Sequence, residues 1–413
     1  MKRSAIILFT LLLGLSVDAQ IFQFRGPNRD GKFTETGLLQ TWPETGPERL
    51  LEFEGIGKGY SSVISNGKYI YATGMIDTLD YLTCLDFEGN KKWQVPYGES
   101  WKKSFPDTRS TPTIEDDRIY LVSGIGELVC LNAETGAINW KVNVDRDFKA
   151  DWHIWGVSES VLIVDDKVIC TPGGTETSVV AFNKMTGEKV WETPSAGGQR
   201  SYASPTLYTL DGRRYILAVT ATNLLVVNPE TGEVKMTYQY YEHEKWSDQP
   251  GLIWTNIPLF KGDEIFLSMG YDYPAKMLKV NENQDGFTEV FTDTIFDNHH
   301  HGLIELDGFI YGSNWENNRK GNWLCMNWKT GGITYNQPWN TKGAIVFADG
   351  LLYIYEEQKG NVAIVKPDPS GFQVISSFQI QKGSGPHWAH PYILDGKLFL
   401  RHGEVLMVYN LKE

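Results

Sequence analysis

The sequence predicts an all-β protein: an eight-bladed β-propeller with four antiparallel strands per blade, closed by an N-terminal strand that completes the last blade. Three observations predict it. Turn pairs built from Asp, Asn and Gly, each followed by an apolar strand, recur eight times. A second series of Asn-x-x-Thr-Gly turns lies out of phase with the first. The 41 glycines and 14 tryptophans supply the turns and the aromatic packing that such a repeat needs.

The first series runs Asn66-Gly67, Asp116-Asp117, Asp165-Asp166, Asp211-Gly212, Gly262-Asp263, Asp307-Gly308, Asp349-Gly350 and Asp395-Gly396. The second residues of these pairs are separated by 50, 49, 46, 51, 45, 42 and 46 residues. The second series reads NAETGAINW (132–140), NKMTGEKVW (183–191), NPETGEVKM (228–236) and NWKTGGITY (327–335), with degenerate copies at 86–93 and 281–290. In each, Asn or Asp opens a tight turn, Gly supplies the left-handed residue, and the next strand carries a large side chain. The tryptophans of this series, Trp93, Trp140 and Trp191, read as packing between blades.

A blade cannot bury both faces alone, so neighbours stack and the ring closes. The last repeat supplies three strands only, and "ERLLEFEG" (48–55) occupies the place of its missing outer strand. The expected organisation is a single propeller over 48–413, preceded by an N-terminal extension over 20–47.

The first 19 residues read as a cleavable signal peptide. Lys2 and Arg3 precede an apolar run from Ala5 to Leu15 that is short for a membrane span, and Val17-Asp18-Ala19 forms a small-residue cleavage site. Export to the periplasm or medium is expected, without a membrane anchor and as a monomer. Asp and Glu number 51 against 38 Lys and Arg, a formal charge of −13 with no basic cluster, which argues against nucleic acid as a partner. Cys84, Cys130 and Cys325 occupy one repeat position, filled by Ala181 and Val226 elsewhere, so free, buried thiols are expected.

The repeat count and the Asn-x-x-Thr-Gly-x-x-x-Trp turns resemble the PQQ-like repeat proteins of the quinoprotein alcohol dehydrogenase-like superfamily. The segment 23–62, beginning QFRGPNRDGKF, is similar to the N-terminus of an exported bacterial subfamily. The resemblance implies either a quinoprotein dehydrogenase using pyrroloquinoline quinone (PQQ) with calcium, or a periplasmic scaffold like the outer-membrane barrel-assembly propeller. In the dehydrogenases a vicinal cysteine pair stacks on the quinone, and Glu, Asn and Asp hold the ion. Here no two cysteines are adjacent, and Glu159 and Asn256 have no evident Asp to complete the set.

Register locates a candidate site. The residues entering each innermost strand line one mouth of the ring, and alternation places Arg109, Tyr202, His300, Lys342 and Trp388 on one face with His390. Tyr60, Glu159, Asn256 and His301 lie between, and Trp155 and Trp254 are nearby. Five of the eight histidines (299, 300, 301, 387 and 390) fall at this ring, on two blades. His300, His301, His390, Arg109 and Glu159 are the candidate acid–base residues. Tyr60, Trp155, Tyr202, Trp254, Asn256, Lys342 and Trp388 are candidate binding residues. Imidazoles that titrate near neutrality, beside cations able to neutralise a uronate or sulfate, suggest a small-molecule site for a carbohydrate, with lyase or hydrolase chemistry on acidic oligosaccharides. His299-x-His301 with His390 also suggests a metal, but Asp297 is the nearest carboxylate in sequence and the ligand set is incomplete, so no metal is assigned. The bland alternative is a water-filled channel lined by polar strands that bind nothing.

Overall fold

The computed structural model describes residues 20–151, 154–240 and 253–413. The expected signal peptide, 1–19, lies outside the described residues. Eight antiparallel sheets surround one axis, in blades spanning 64–99, 113–143, 162–194, 206–239, 259–293, 304–337, 343–379 and 392–410. The four-residue helix Val144–Asp147 is the helical element among the described residues. None of their helices is long and apolar enough to cross a membrane.

Local sequence explains the blade. Asp211 and Gly212 both have positive φ, 48° and 75°, the type I′ geometry that joins two twisted strands. In the outer turn of blade 2, Asn132 Oδ1 accepts hydrogen bonds from the backbone N–H groups of Glu134 and Thr135. Gly136 completes that turn in the left-handed region (φ 72°), and an added Cβ there would lie 2.8 Å from the Trp93 ring of blade 1. Gly187 bears the same relation to Trp140, whose indole N–H donates to Lys184 O at 3.0 Å. The motif is thus a contact between blades as well as a turn. Cys84, Cys130, Cys170 and Cys325 lie in four different blades, all buried.

Strand β3 (Arg49–Glu54) pairs antiparallel with 405–410 and supplies the outer strand of blade 8, closing the ring. Hydroxyls around the axis link neighbouring blades. The backbone N–H of Ser62 donates to Thr111 Oγ1 (3.0 Å), Thr111 N–H to Ser160 Oγ (3.1 Å), and Ser160 N–H to Ser204 Oγ (2.9 Å). Each Ser or Thr that enters an inner strand here is an inter-blade clip.

The segment 20–47 pairs with inner strands of the propeller. Strand β1 (Ile21–Phe22) pairs antiparallel with the innermost strand of blade 2, Ile21 opposite Glu115. Strand β2 (Lys32–Phe33) pairs parallel with the innermost strand of blade 7, Lys32 opposite Phe347. The chain therefore runs up along one inner strand, turns over 24–31 and runs down along another.

Two buried arginines pin the turn. Arg29 donates to Gln23 Oε1 (2.7 Å), Ser160 O (2.7 Å), Pro205 O (3.0 Å), Thr113 Oγ1 (3.3 Å) and Val161 O. Arg25 donates to Leu303 O (2.7 Å), Ile345 O (3.1 Å) and His390 Nδ1 (3.0 Å). Burial lowers their pKa values to about 9 and about 10, which leaves both charged at neutral pH. Gly302 makes room for the plug: a Cβ there would fall 1.8 Å from an Arg25 guanidinium nitrogen. Pro27 and Asn28 are exposed at the tip.

Arg29→Ala leaves several buried carbonyls without donors. At about 1.5–3 kcal/mol per hydrogen bond from a charged group, it is expected to lower stability by about 3 kcal/mol or more. Arg214→Ala, which breaks an ion pair with Asp165 half-exposed on both sides, is expected to cost under about 1 kcal/mol. Denaturant midpoints of the two variants test the difference.

Candidate functional site at the axial mouth

The loops entering the inner strands, together with the hairpins between second and third strands, build the mouth above the plug. The 100–112 loop brings Phe105 and Arg109, the 294–303 loop the histidine run, and the 380–391 loop Trp388. Trp388 stands at the centre of an aromatic group, with ring centroids 4.8 Å from Tyr60, 5.3 Å from His300 and 5.5 Å from Phe105. The Arg109 guanidinium lies 5.6 Å over the Tyr60 ring and donates to the Asp107 (3.2 Å) and Phe105 carbonyls. Trp155 packs edge-on against Tyr202 at 5.5 Å. Tyr271 stands 4.5 Å from His299 and 5.0 Å from Trp315.

Beneath these rings lies a buried charge cluster. Glu357 receives Lys342 Nζ on Oε1 at 2.7 Å, and His301 Nε2 (3.0 Å) and Trp388 Nε1 (3.2 Å) on Oε2. Burial works to raise the Glu357 carboxyl, but the His301 hydrogen bond and the Lys342 ammonium outweigh it and hold it at about 2. His301 is fully buried, and desolvation lowers its pKa, so it stands neutral and donates from Nε2 to the ionised Glu357. His300 meets His299 Nδ1 to Nδ1 at 3.0 Å. Burial likewise depresses His300, and it takes His299 down to about 3.

The structure thus brings together Tyr60, Arg109, His300, His301, Lys342 and Trp388, with Trp155 and Tyr202 on the flank. The other expected residues point elsewhere. Glu159 is buried, and its carboxylate accepts the Thr171 N–H at 2.9 and 3.1 Å. Asn256 is spent on backbone, donating to Asn298 O (2.7 Å) and Ser268 O (3.2 Å) and accepting from Gly302 N (3.1 Å). Trp254 is 1% exposed, against Tyr240. His390 has both nitrogens committed: Nδ1 accepts from Arg25, and Nε2 donates to His300 O at 2.8 Å. Desolvation and the Arg25 charge keep it neutral, which makes it a support for the plug. His387 turns to the Tyr355 hydroxyl (2.6 Å) and stacks on His402. Asp297 accepts from Asp272 N (3.0 Å) and Trp315 N (3.3 Å), so the carboxylate beside the histidines is Glu357. Glu357, Phe105, Tyr271 and Trp315 escape a register argument confined to inner strands. The hairpins after second strands open on the same face, and the pair Glu356-Glu357 in such a hairpin was the available signal.

A protein-family profile described as outer membrane protein assembly factor BamB, PQQ_2, matches residues 80–319. The chain belongs to this family. Among solved structures, BamB from Moraxella catarrhalis is similar with a TM-score of 0.63 at 16% identity, over 88% of this chain and 99% of that one. A europium-containing methanol dehydrogenase gives 0.65 at 13% identity, over 92% and 90%. The quinohemoprotein alcohol dehydrogenase of Comamonas testosteroni gives 0.62 at 12%, over 94% and 79%. At these identities the likeness is one of fold. No curated protein matches the chain.

PQQ-like folds raise the question of quinone and calcium. The residues of this PQQ_2 chain do not fit that pair. Glu159 and Asn256 are bound to backbone within and between blades, and the four cysteines lie singly in separate blades. Among the described residues, hard, oxygen-seeking calcium would find no set of free carboxylates there.

Glu159 predicts a pH dependence of stability instead. Desolvation raises its carboxyl from 4.5 to about 7, against the opposing pull of Arg200, the Thr171 N–H and Arg29; Asp145 adds to the rise. A raised acid pKa means the folded state holds a proton that the unfolded state has lost. This contribution is full below pH 4.5 and disappears as pH rises through about 7. The buried histidines, with lowered pKa values, work in the opposite direction in wild type and variant alike, so the difference isolates this carboxyl: the melting temperature of Glu159→Gln relative to wild type is expected to rise from pH 5 to pH 8 in a calorimetric series.

Proposed function

We propose that this propeller is exported and binds an acidic saccharide, one carrying a uronate or sulfate, at the axial mouth. The observation that carries the reading is Arg109. Its guanidinium is half-buried, held over Tyr60 and bonded only to two loop carbonyls, and among the described residues it makes no ion pair. A guanidinium fixed by an aromatic face, with donors to spare, suits a bidentate carboxylate or sulfate. Trp388, Tyr60 and Phe105 beside it offer faces for the apolar side of a pyranose ring. Lys342, the other cation expected to meet an anion, is committed to Glu357, so anion recognition falls to Arg109. The function proposed is binding. Acid–base chemistry is not part of it, because His390 and Glu159 are engaged below the mouth.

The family description favours a second reading, a scaffold in outer-membrane protein assembly. A scaffold does not need an unpaired guanidinium framed by tryptophan and tyrosine. The two readings part on ligand binding.

Calorimetric titration of the signal-free protein with uronate oligosaccharides, in the presence of a chelator, tests the proposal. Arg109→Ala is expected to weaken binding at least tenfold, about 1.4 kcal/mol, while a neutral oligosaccharide of the same length binds the two proteins alike. Trp388→Ala is expected to weaken both ligands. The Arg109 variant is expected to keep the wild-type melting temperature. Isotherms that do not respond to either substitution overturn the saccharide reading in favour of the scaffold.

A further inference from the structure

We infer that His300, His301 and Glu357 form a mononuclear site for a divalent transition cation of the zinc type at the base of the mouth. Each residue offers one ligand atom, and the three atoms lie within 4.8 Å of one another. Two neutral imidazoles and a carboxylate are the donor set of open three-ligand zinc sites, with the fourth position left to water or ligand. Around a tetrahedral zinc with bonds of about 2.0–2.1 Å, ligand atoms stand about 3.3 Å apart. Binding therefore needs a contraction of at most about 1.5 Å, which a turn of half-buried His300 can supply.

A second observation is independent of the grouping. His301 is fully buried, yet among the described residues its Nδ1 has no hydrogen-bond partner. The Nε2 of His300 is likewise buried and unpartnered, its Nδ1 being taken by His299. Buried polar atoms without partners are uncommon in folded proteins, because each forfeits its solvation. A bound cation satisfies His300 Nε2, and the open His301 Nδ1 is where the proton displaced from Nε2 can sit.

Lys342 is the obvious objection, being a competing cation. It sits on Oε1, whereas His301 is on Oε2. The Lys342 contact on Oε1 and the Trp388 N–H on Oε2 orient the carboxylate, as outer partners do for a ligand, and Oε2 keeps a lone pair for the metal on the side where His301 Nε2 stands. On binding, the cation takes the place of the proton that His301 Nε2 shares with Glu357, and that proton moves to the unpartnered Nδ1 of the same ring, so His301 stays a neutral imidazole. The nitrogen-rich set selects zinc, cobalt or nickel over calcium, magnesium and manganese, which want oxygen.

The inference does not rest on the saccharide reading. Untagged protein stripped by a chelator is titrated with Zn(II) by calorimetry and with Co(II) by visible absorption, without saccharide. One equivalent of metal is expected, with the d–d bands of nitrogen- and oxygen-ligated cobalt. His300→Ala and Glu357→Gln are each expected to weaken binding at least about tenfold, and His387→Gln to leave it unchanged. Should Glu357→Gln unfold because Lys342 loses its partner, the half-buried His300→Ala still decides, with its melting temperature as the check on folding. Absent or multiple binding, or binding that survives His300→Ala, overturns the site. Because the saccharide titration is run in chelator, either proposal can fail while the other stands.

Discussion

Two buried guanidinium groups hold the centre of this propeller. Arg29 reaches the inner strands of blades 2, 3 and 4, and Arg25 those of blades 6, 7 and 8. Burying a charge is costly unless it is fully hydrogen-bonded, and here the hydrogen bonds come mainly from backbone carbonyls, with Asp30 and Glu159 acting on the charges through space. The planar fork suits that task, since each arginine can serve several carbonyls at once. Closure of the ring by β3 and filling of its axis by β1 and β2 are both supplied by one N-terminal segment.

The plug shapes the functional end. The N-terminal segment pairs with inner strands of blades 2 and 7, and Pro27 and Asn28 are exposed at its turn. His390, in register with the mouth, is drawn into supporting that turn by Arg25. The polar ring of Ser62, Thr111, Ser160 and Ser204 is consumed in blade-to-blade clips. What remains available is a narrower set: Arg109 among aromatic rings, and the His300–His301–Glu357 group below them. The fold shared with BamB and with quinoprotein dehydrogenases accounts for the blades, while the loops and hairpins at this end set the chemistry.

Much of this was legible in the residues, and the boundary of legibility has a physical cause. The eight turns and the Asn-x-x-Thr-Gly series are local signals, because a hairpin is encoded within a few residues. Trp93 against Gly136 follows from the same motif repeated one blade on. Arg109, His300, His301 and Trp388 could be placed at the mouth because they enter inner strands in register. Glu159 and Asn256 share that register yet turn into the blade walls, because a side chain at a strand entrance can take either direction. Glu357 comes from a hairpin 56 residues after His301, a separation across which strand periodicity carries no information.

By itself, the sequence determined the all-β class, the count of eight blades and the identity of the closing strand, since these depend on short-range periodicity and on the ring needing a partner for every edge. Tertiary structure alone decided that the N-terminal segment fills the axis, that Lys342 is spent on Glu357 and that Arg109 is not. Those outcomes depend on which buried charges meet across the ring, and that is settled only when all eight blades have closed around them.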